Sequence, residues 1–572
     1  MKHAARPVDP GAKRRERIWV AVILAIHLAL VLWGAARNSV TFDENFHLPA
    51  GVLVVARGYT AASIAQPPLV KTLCALPALA AGARLPADSS VAWGAEAAVG
   101  ESFMRRNADR YHRVFFAGRL AVVVMSVLLG LLVWRFARRL YGGPAGLLAL
   151  ASWALLPETL AHAGVVGMDL PTGLVFVATV YAFWRFARTG TGRDWTLTAL
   201  AVAAAALTRF SAVQLAPMLV ILAVWGTLAR RVRRPRRLWL GLVLLPLVAL
   251  AALVVGYPGH TTLDPLGSSA FLSESFQSFA RSHPSWRLPL PDPYLGGLDY
   301  LAYLTELHKP SYLLGQLHRE QVWHYFPVAA AVKWPLGLFA LALARLALTS
   351  ASRRAPRSAW HEAFLLVPIA VVVGFAIVSD LAYGVRYLYP VLPFLCIWCG
   401  GLLAHPAKLG FGRAGTRRAR MRGRHAVATA ALAVLALETA TTAPHYLSFF
   451  NLAAGGAGRQ DRIVNDSNVD WGQGLIALRE ELARRGIARI HLAYHGTTDP
   501  ALYGIDYVPY RGGPVGLESD WIAISSYYFV GLSSPMMTRE GRQPFIELDF
   551  ERLWGRTPEA RPAGCMYLFR LR

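Results

Sequence analysis

The chain has 572 residues, of which 55% are hydrophobic, and it carries a formal net charge of +25. Its mean hydropathy of +0.37 is higher than a soluble domain with a polar surface reaches, which excludes an ordinary soluble enzyme. The basic residues cluster beside apolar segments and recur at every second connection, a distribution typical of cytoplasmic loops. Membrane topology therefore explains the charge, and nucleic acid is excluded as a partner.

Apolar segments follow one another along most of the chain. Because a helix needs about 20 mostly apolar residues to cross the hydrocarbon core of a bilayer, we predict about eleven transmembrane helices. The basic tail 1–17 places the N-terminus in the cytoplasm, and an odd number of spans puts the C-terminus outside. The predicted spans lie near 18–36, 114–134, 144–161, 170–187, 196–209, 212–229, 238–256, 326–346, 362–379, 387–404 and 426–442.

Three long segments are predicted to face the outside. They are two loops, 37–113 and 257–325, and a tail, 443–572. The loops are too long to be simple connections, which indicates a function. Short runs in the tail, such as ARIHLAYHG, alternate apolar and polar residues, and this favours a small C-terminal extracytoplasmic α/β domain. The predicted fold class is an α-helical polytopic membrane protein whose transmembrane domain is 18–442, with juxtamembrane loops on its outer face.

Two adjacent carboxylates and an imidazole follow the first span, in Asp43, Glu44 and His47. Charged groups at a membrane boundary are costly unless they are exposed or paired, so these residues are candidates for function. The alternative is a solvated helix start, because acidic residues favour the positive end of a helix. Spacing alone leaves both interpretations open.

Further polar residues stand at the ends of apolar helices that are predicted to face outside. Gln66 and Lys71 flank a Pro-Pro pair in the first loop, where Lys71 either binds an anionic headgroup or only reaches the interface. Asp169 precedes Leu-Pro and is either a third functional carboxylate or a helix cap. Arg209 and Arg386 are not explained by the positive-inside bias, so they point to an anionic ligand.

This ordered set resembles a known family. Asp43 and Glu44 in the first outer loop, a Pro-Pro-Leu-x-Lys sequence ending at Lys71, the later Asp169 and many spans with a positive inside look like the polyprenol-dependent glycosyltransferases with the C-type fold. The protein O-mannosyltransferases and the lipid A aminoarabinose transferases are the named relatives. The resemblance extends over nearly the whole chain.

Two further blocks are similar to a bacterial subset of the same superfamily. They are 312–337, which contains Lys333, and 444–475, which contains Asp470 and Trp471. One position departs from the pattern, because the mannosyltransferases usually have His where this chain has Gln66. An amide in place of an imidazole leaves the identity of the sugar open.

The resemblance implies an enzyme that moves a hexose or pentose from a polyprenyl phosphate to a hydroxyl on the extracytoplasmic face, in one inverting displacement. Asp43 matches the position of the general base, and Glu44 and Asp169 would position the acceptor or stabilise the developing positive charge of the sugar. Substrate binding is assigned to His47, Gln66, Lys71, Arg209, Lys333, Arg386, Asp470 and Trp471.

The sequence also leads to expectations about cofactors, partners and alternative functions. No cofactor is required, and a divalent ion on Glu44, His47 and Asp169 is the rival way to stabilise the leaving phosphate, although these residues lack tight metal-ligand spacing. The implied partners are the lipid-linked donor, membrane lipid and a hydroxyl acceptor on a glycan, lipid or protein, in a bacterial inner membrane. A flippase for a lipid-linked sugar is the first alternative and would need midplane polar residues and paired halves. A structural assembly partner is the second.

Overall fold

The computed structural model describes residues 10–58, 64–86, 96–320, 322–351, 356–379, 382–404, 414–456, 462–510, 518–534, 536–538, 541–543, 553 and 555–571. Helices dominate these residues. In chain order they are α1 Pro10–Arg37, α2 Glu44–Arg57, α3 Leu69–Ala80, α4 Glu96–Arg106, α5 Tyr111–Tyr141, α6 Gly143–Ala154, α7 Pro157–Ala163, α8 Asp169–Thr189, α9 Gly192–Ala206, α10 Leu215–Leu228, α11 Pro235–Gly256, α12 Glu274–Ser282, α13 Asp292–Glu306, α14 Tyr325–Lys333, α15 Leu336–Ala351, α16 Pro356–Ile377, α17 Val391–Gly400, α18 Ala414–Thr442, α19 Leu475–Arg485 and α20 Ser526–Phe529.

Seven helical segments within the described residues are long and apolar enough to cross a bilayer, and two bent helix pairs raise the number to nine. The predicted α-helical polytopic fold is therefore confirmed, and the chain is a multi-pass membrane protein. The seven are Gly11–Arg37, Ala108–Tyr141, Asp169–Thr189, Phe210–Leu228, Pro235–Gly256, Ala359–Ile377 and Arg420–Thr442.

The difference from about eleven spans has two causes. Two predicted spans are helices too short to count: Gly192–Ala206 has 15 residues, and Val391–Leu403 is also short. Two others are broken, with a bend of 66° before Pro157 and a bend of 105° next to Pro335. Proline lacks the backbone N–H that a continuous helix needs, so each break falls where the sequence removes a donor.

The C-terminal region contains a small sheet, as predicted from its alternating pattern. Its strand order is β4-β3-β5-β8, with β3 parallel to β4 and β5, and β8 antiparallel to β5. Two short hairpins, β1 with β2 and β6 with β7, stand outside it. The strands are β1 Ser311–Leu313, β2 Gln316–His318, β3 Ile490–Ala493, β4 Tyr507–Pro509, β5 Trp521–Ser525, β6 Met536–Thr538, β7 Gly541–Gln543 and β8 Met566–Arg570.

The segment that follows α1 is joined to the C-terminal region by backbone hydrogen bonds. Ser39 N donates to Gln473 O at 3.1 Å, and Phe42 N donates to Trp471 O at 2.7 Å. The Ser39 hydroxyl adds a bond to Gly472 O at 2.8 Å. The residues just before Asp43 are thereby fixed against the C-terminal region, and the candidate site forms at this junction.

Candidate active site

Asp43 stands at the junction of α1, α2 and the C-terminal region. It occupies the position before α2, but its side chain makes no capping hydrogen bond. Instead, Arg386 Nη1 donates to Asp43 Oδ2 at 2.6 Å. The Asp43 side chain is 27% exposed, so it remains reachable from solvent. The helix-cap alternative therefore does not account for this carboxylate, and the structure brings together two residues that the sequence placed 343 positions apart.

Contacts with the C-terminal region fix the position of Arg386. It belongs to the short turn Val385–Leu388, and Val385 N donates to Asn468 Oδ1 at 2.8 Å. Its guanidinium carbon lies 4.4 Å from the centre of the Trp471 ring, a cation–π contact. Among the described residues its buried Nε has no hydrogen-bond partner. A buried donor without an acceptor is costly and points to an anionic ligand at this position.

A second ion pair lies next to the first. Arg209 Nη1 donates to Asp169 Oδ1, and both side chains are nearly buried. The Tyr387 ring links the two pairs, because its centre lies 5.0 Å from the Arg209 guanidinium carbon and 5.7 Å from that of Arg386. Two carboxylates and two arginines are thus gathered around one tyrosine.

His47, Gln66 and Lys71 approach from α2 and the start of α3. A Cβ on Gly51 would lie 2.1 Å from Lys71 O, so α2 and α3 pack in direct contact and only glycine fits there. Lys71 is buried and its Nζ donates to Gln66 O at 2.5 Å. Burial, reinforced by the charge of Lys71, lowers the pKa of His47 to about 4, so its ring is neutral at neutral pH.

Two polar atoms of this group have no partner within the described part of the chain, His47 Nδ1 and Gln66 Oε1. Buried polar atoms in native structures are normally hydrogen-bonded. Both atoms lie on residues that the sequence assigned to substrate binding, which is consistent with a polar ligand.

Glu44 corrects the sequence-based assignment. Its side chain is fully buried, and Arg119 donates to both oxygens, at 2.8 Å to Oε1 and 2.7 Å to Oε2. Thr41 N and Val166 N donate to the remaining positions at 2.9 and 2.8 Å. A carboxylate with these partners cannot contact a substrate. Glu44 instead anchors the segment before Asp43 to α5 and to the residues that precede α8.

Lys333 also differs from its predicted role in substrate binding. It is 1% exposed, and its Nζ donates to Leu447 O at 2.9 Å and to Asn468 O at 2.5 Å. Asn468 in turn holds the backbone beside Arg386. Lys333 is therefore a clamp between α14 and the C-terminal region, and it acts on the site through Asn468.

We expect Lys333→Met to destabilise the protein and to slow its activity. The methionine fills the space but leaves two buried carbonyls without a donor, which costs about 1–3 kcal/mol for each unsatisfied group. The measurement is the midpoint of thermal unfolding in detergent, with Lys13→Met on the exposed start of α1 as the matched control. Equal midpoints for the two variants would contradict the clamp.

Asp470 and Trp471 are likewise buried, at 1% and 3% exposed, rather than open to an acceptor. Asp470 Oδ1 accepts a hydrogen bond from Gly472 N at 3.0 Å, and Trp471 lies under Arg386. Burial raises the pKa of Asp470 to about 7. These two residues shape the turn that fixes Phe42 and Arg386, and the predicted contact with the acceptor is corrected accordingly.

A pH dependence of stability follows from Asp470. Its pKa is about 7 in the folded protein and 3.8 in the unfolded chain, so the folded state keeps a proton that the unfolded state releases. Its favourable contribution is fully present below pH 3.8 and disappears as the pH rises through 7. We expect the unfolding midpoint of Asp470→Asn to fall less between pH 5 and 8 than that of the native protein. Parallel pH profiles would contradict this assignment.

Several polar residues of the site were missed from the sequence. His162 Nδ1 lies 3.5 Å from Asp169 Oδ2, and its Nε2 lies 3.4 Å from Glu158 Oε2. Lys333 Nζ is 4.0 Å from Glu158 Oε1, so a line of buried charges runs from Arg209 into the helix bundle. His495 of the C-terminal region was also missed. The signal for Arg119, Glu158 and His162 was available, because an ionisable residue within an apolar segment is a functional or structural site by default.

The residues proposed as ligands of a divalent ion, Glu44, His47 and Asp169, do not form a metal site. Among the described residues, no group of three or more His, Cys, Asp and Glu side chains is arranged to hold a metal. Glu44 is occupied by Arg119, and Asp169 is occupied by Arg209. We therefore derive no step of the chemistry through a metal ion on these side chains.

One cavity of the described residues lies away from the candidate site. It has a volume of about 520 Å³ and is lined by Ala36, 108–113, Phe116, Leu502 and Tyr503. None of the residues assigned to catalysis or binding lines it. The ion pairs and unpartnered polar atoms, rather than cavity size, identify the candidate site.

Residues 111–255 match the family described as dolichyl-phosphate-mannose-protein mannosyltransferase. The match includes Arg119, Asp169 and Arg209, and it confirms the resemblance drawn from the sequence motifs. The match covers 111–255 of the 572 residues, and together with the multi-span fold it supports the class of membrane glycosyltransferases.

Two solved structures are similar to this chain. ArnT from Cupriavidus metallidurans, bound to undecaprenyl phosphate, is 15% identical over 74% of this chain and 71% of its own, with a TM-score of 0.43. The archaeal oligosaccharyltransferase AglB from Archaeoglobus fulgidus, in complex with an inhibitory peptide and a dolichol-phosphate, is 13% identical over 74% of this chain and 56% of its own, with a TM-score of 0.44. Because both TM-scores are below 0.5, we infer nothing about this chain from them. A comparison with curated proteins gives no match.

Proposed function

We propose that this chain transfers a sugar from a polyprenyl phosphate to a hydroxyl acceptor in a single inverting displacement, with Asp43 as the general base. The observation that carries the proposal is the Asp43–Arg386 pair, in which a partly exposed carboxylate and a guanidinium with an unused donor stand 2.6 Å apart. The carboxylate can take the proton of the acceptor hydroxyl, and the guanidinium can bind the phosphate of the donor. The matched family, whose description names a lipid phosphate donor, supports the same class of reaction.

The proposed displacement forms one bond and breaks one. The acceptor oxygen attacks the anomeric carbon from the face opposite the phosphate and passes its proton to Asp43. A new bond forms between the acceptor oxygen and the anomeric carbon, while the bond between that carbon and the phosphate oxygen breaks, with inversion of configuration. The lipid leaves as its phosphate, which keeps the electron pair of the broken bond. A positioned carboxylate base of this kind contributes about 10²–10⁴-fold to the rate.

Charge on the leaving phosphate is stabilised by cations. Arg386 is the first of them, because its planar group can give two donors to a phosphate and its Nε is unused. Arg209 is beside it across Tyr387, and Lys71 approaches from α3. Asp169 keeps Arg209 oriented and adds negative charge next to the developing positive sugar.

The proposal includes an orientation. The basic N-terminal tail favours a cytoplasmic N-terminus, and the candidate site then lies at the extracytoplasmic end of α1. We propose a bacterial inner membrane as the location, on the strength of the resemblance to the bacterial subset.

The experiment uses the purified full chain in lipid with a polyprenyl phosphate that carries a labelled sugar, and a crude envelope fraction as acceptor. We expect label to move to the acceptor and the new linkage to have the inverted anomeric configuration. Retention of configuration would overturn the single displacement. If several donor sugars give no transfer and the labelled lipid instead appears on the opposite leaflet, the protein is a flippase.

A further inference from the structure

One edge of the C-terminal sheet lies toward Asp43. Strands β3 and β5 are parallel, and the residues directly after their carboxyl ends are Tyr494 and Ser526. His495 and Tyr527 follow one position later. In open sheets with parallel strands, ligands bind outside the carboxyl ends of the strands. This edge is therefore the part of the C-terminal region where a ligand is expected.

Three rings form a stack that leads from this edge to Asp43. His495 stacks on Tyr527 with ring centres 3.7 Å apart and planes at 7°, and it stacks on Phe42 at 5.3 Å and 15°. Phe42 directly precedes Asp43 in the chain. Burial lowers the pKa of His495 to about 3 despite the nearby Asp43 carboxylate, so the middle ring is neutral. Phe42 and Tyr527 are partly exposed.

Polar groups border the stack on the side of Arg386. Asp466 is partly exposed and has a left-handed backbone with φ of 63°. Its neighbours fix it against the Arg386 turn, because Ser467 Oγ donates to Tyr383 O and Asn468 Oδ1 accepts from Val385 N. The segment cannot relax its unfavourable backbone without losing these bonds.

A cation and a second phenol complete this border. Lys309 is exposed, and its Nζ lies 6.0 Å from the centre of the Tyr383 ring. The surface thus offers aromatic rings, a carboxylate, an ammonium group and the phenol of Tyr383 within one small area. Aromatic side chains stack on the apolar face of a sugar ring, and charged or hydroxyl side chains hydrogen-bond to the sugar hydroxyls. A surface with both is suited to a carbohydrate.

We propose that this surface, formed by Phe42, Asp466 and Tyr527 and here named the acceptor platform, binds a carbohydrate acceptor and holds one of its hydroxyls toward Asp43. The buried His495 ring supports the platform from between the two aromatic residues. The inference rests on the proposed function and names the class of its acceptor. A peptide acceptor would use other contacts, and it is an outcome of the test below. The platform also replaces Asp470 and Trp471, which are buried, as the part of the C-terminal region that meets the substrate.

The test compares Tyr527→Ala with the native chain in lipid, with a donor that carries a labelled sugar. Sugar release to water without acceptor is measured first, and then transfer to a set of end-labelled neutral oligosaccharides and to a set of peptides containing serine and threonine. We expect transfer to oligosaccharides, and about a five- to tenfold higher acceptor KM in the variant because one stacking contact is lost. The rate of release to water serves as the reference for each protein, because no carbohydrate acceptor takes part in it.

Matched variants separate binding from folding. Tyr527→Phe keeps the ring and should keep the native acceptor KM. Trp521→Ala removes an aromatic side chain from the opposite end of the same strand β5 and should also leave the acceptor KM unchanged. If Tyr527→Ala does not fold, Asp466→Asn replaces it and should likewise raise the acceptor KM, and an acceptor KM equal to the native one would overturn the platform.

The possible failures differ. No release of sugar to water or to any acceptor would overturn the proposed function and the platform with it. Transfer to peptides only, or transfer to oligosaccharides with the same acceptor KM in Tyr527→Ala and the native chain, would overturn the platform alone and leave the transferase in place.

Discussion

Asp43→Asn is expected to slow sugar transfer by about 10²–10⁴-fold, the contribution of a positioned general base. Asparagine keeps the shape of the side chain and can still accept a hydrogen bond from Arg386, but it cannot take the acceptor proton. The measurement is the rate of transfer at saturating donor and acceptor, together with the affinity for the donor, which we expect to change little.

The matched control is Asp109→Asn. Asp109 also accepts from an arginine, with Arg110 Nη2 at 2.8 Å, but it is 53% exposed and lies outside the candidate site. We expect native activity from this variant. Native activity from Asp43→Asn would instead move the base to another carboxylate, and the assignment of Asp43 would be wrong.

The second large effect is expected from the buried pair of Glu44 and Arg119. Removing one partner leaves an uncompensated charge in the interior, which typically costs about 3–5 kcal/mol. Arg119→Met should therefore lower the midpoint of thermal unfolding strongly, and adding Glu44→Gln should recover part of the loss. Thermal unfolding in detergent, followed for the single and double variants, is the measurement.

An exposed ion pair between α1 and the C-terminal region is the control. Arg37 Nη2 and Glu480 Oε2 are 2.6 Å apart, with side chains 44% and 40% exposed. Exposed pairs contribute about 0–1 kcal/mol, so Glu480→Gln should hardly change the midpoint. A loss as small in Arg119→Met would show that Glu44 and Arg119 do not hold the segment before Asp43.

The length of the apolar segments predicted the helical fold well. Exposing polar backbone groups to lipid is costly, so a chain in the membrane has few alternatives to helices. All eleven predicted spans coincide with helices or bent helix pairs. The number of full crossings was harder to predict, since it depends on where a helix breaks. Pro157 and Pro335 are visible in the sequence, but the angle at each break is set by tertiary packing.

The roles of adjacent residues could not be separated from the sequence. Asp43 and Glu44 are neighbours, yet one faces Arg386 at the partly exposed site and the other faces Arg119 in the core. Successive residues at a helix start point about 100° apart, because a turn has about 3.6 residues. Only the position of the two arginines decides which carboxylate is buried. Lys333 was misassigned for the same reason, since its partners are backbone carbonyls that no side-chain pattern reveals.

The backbone hydrogen bond from Phe42 to Trp471 has a consequence for the time at which the candidate site forms. At about 5–20 residues per second, a ribosome makes Trp471 roughly 20 to 90 seconds after Phe42. During that interval the first helices are already available to the membrane, but the segment before Asp43 lacks its partners in the C-terminal region. A chain still emerging from the ribosome therefore cannot assemble the proposed active site until Trp471 has been made.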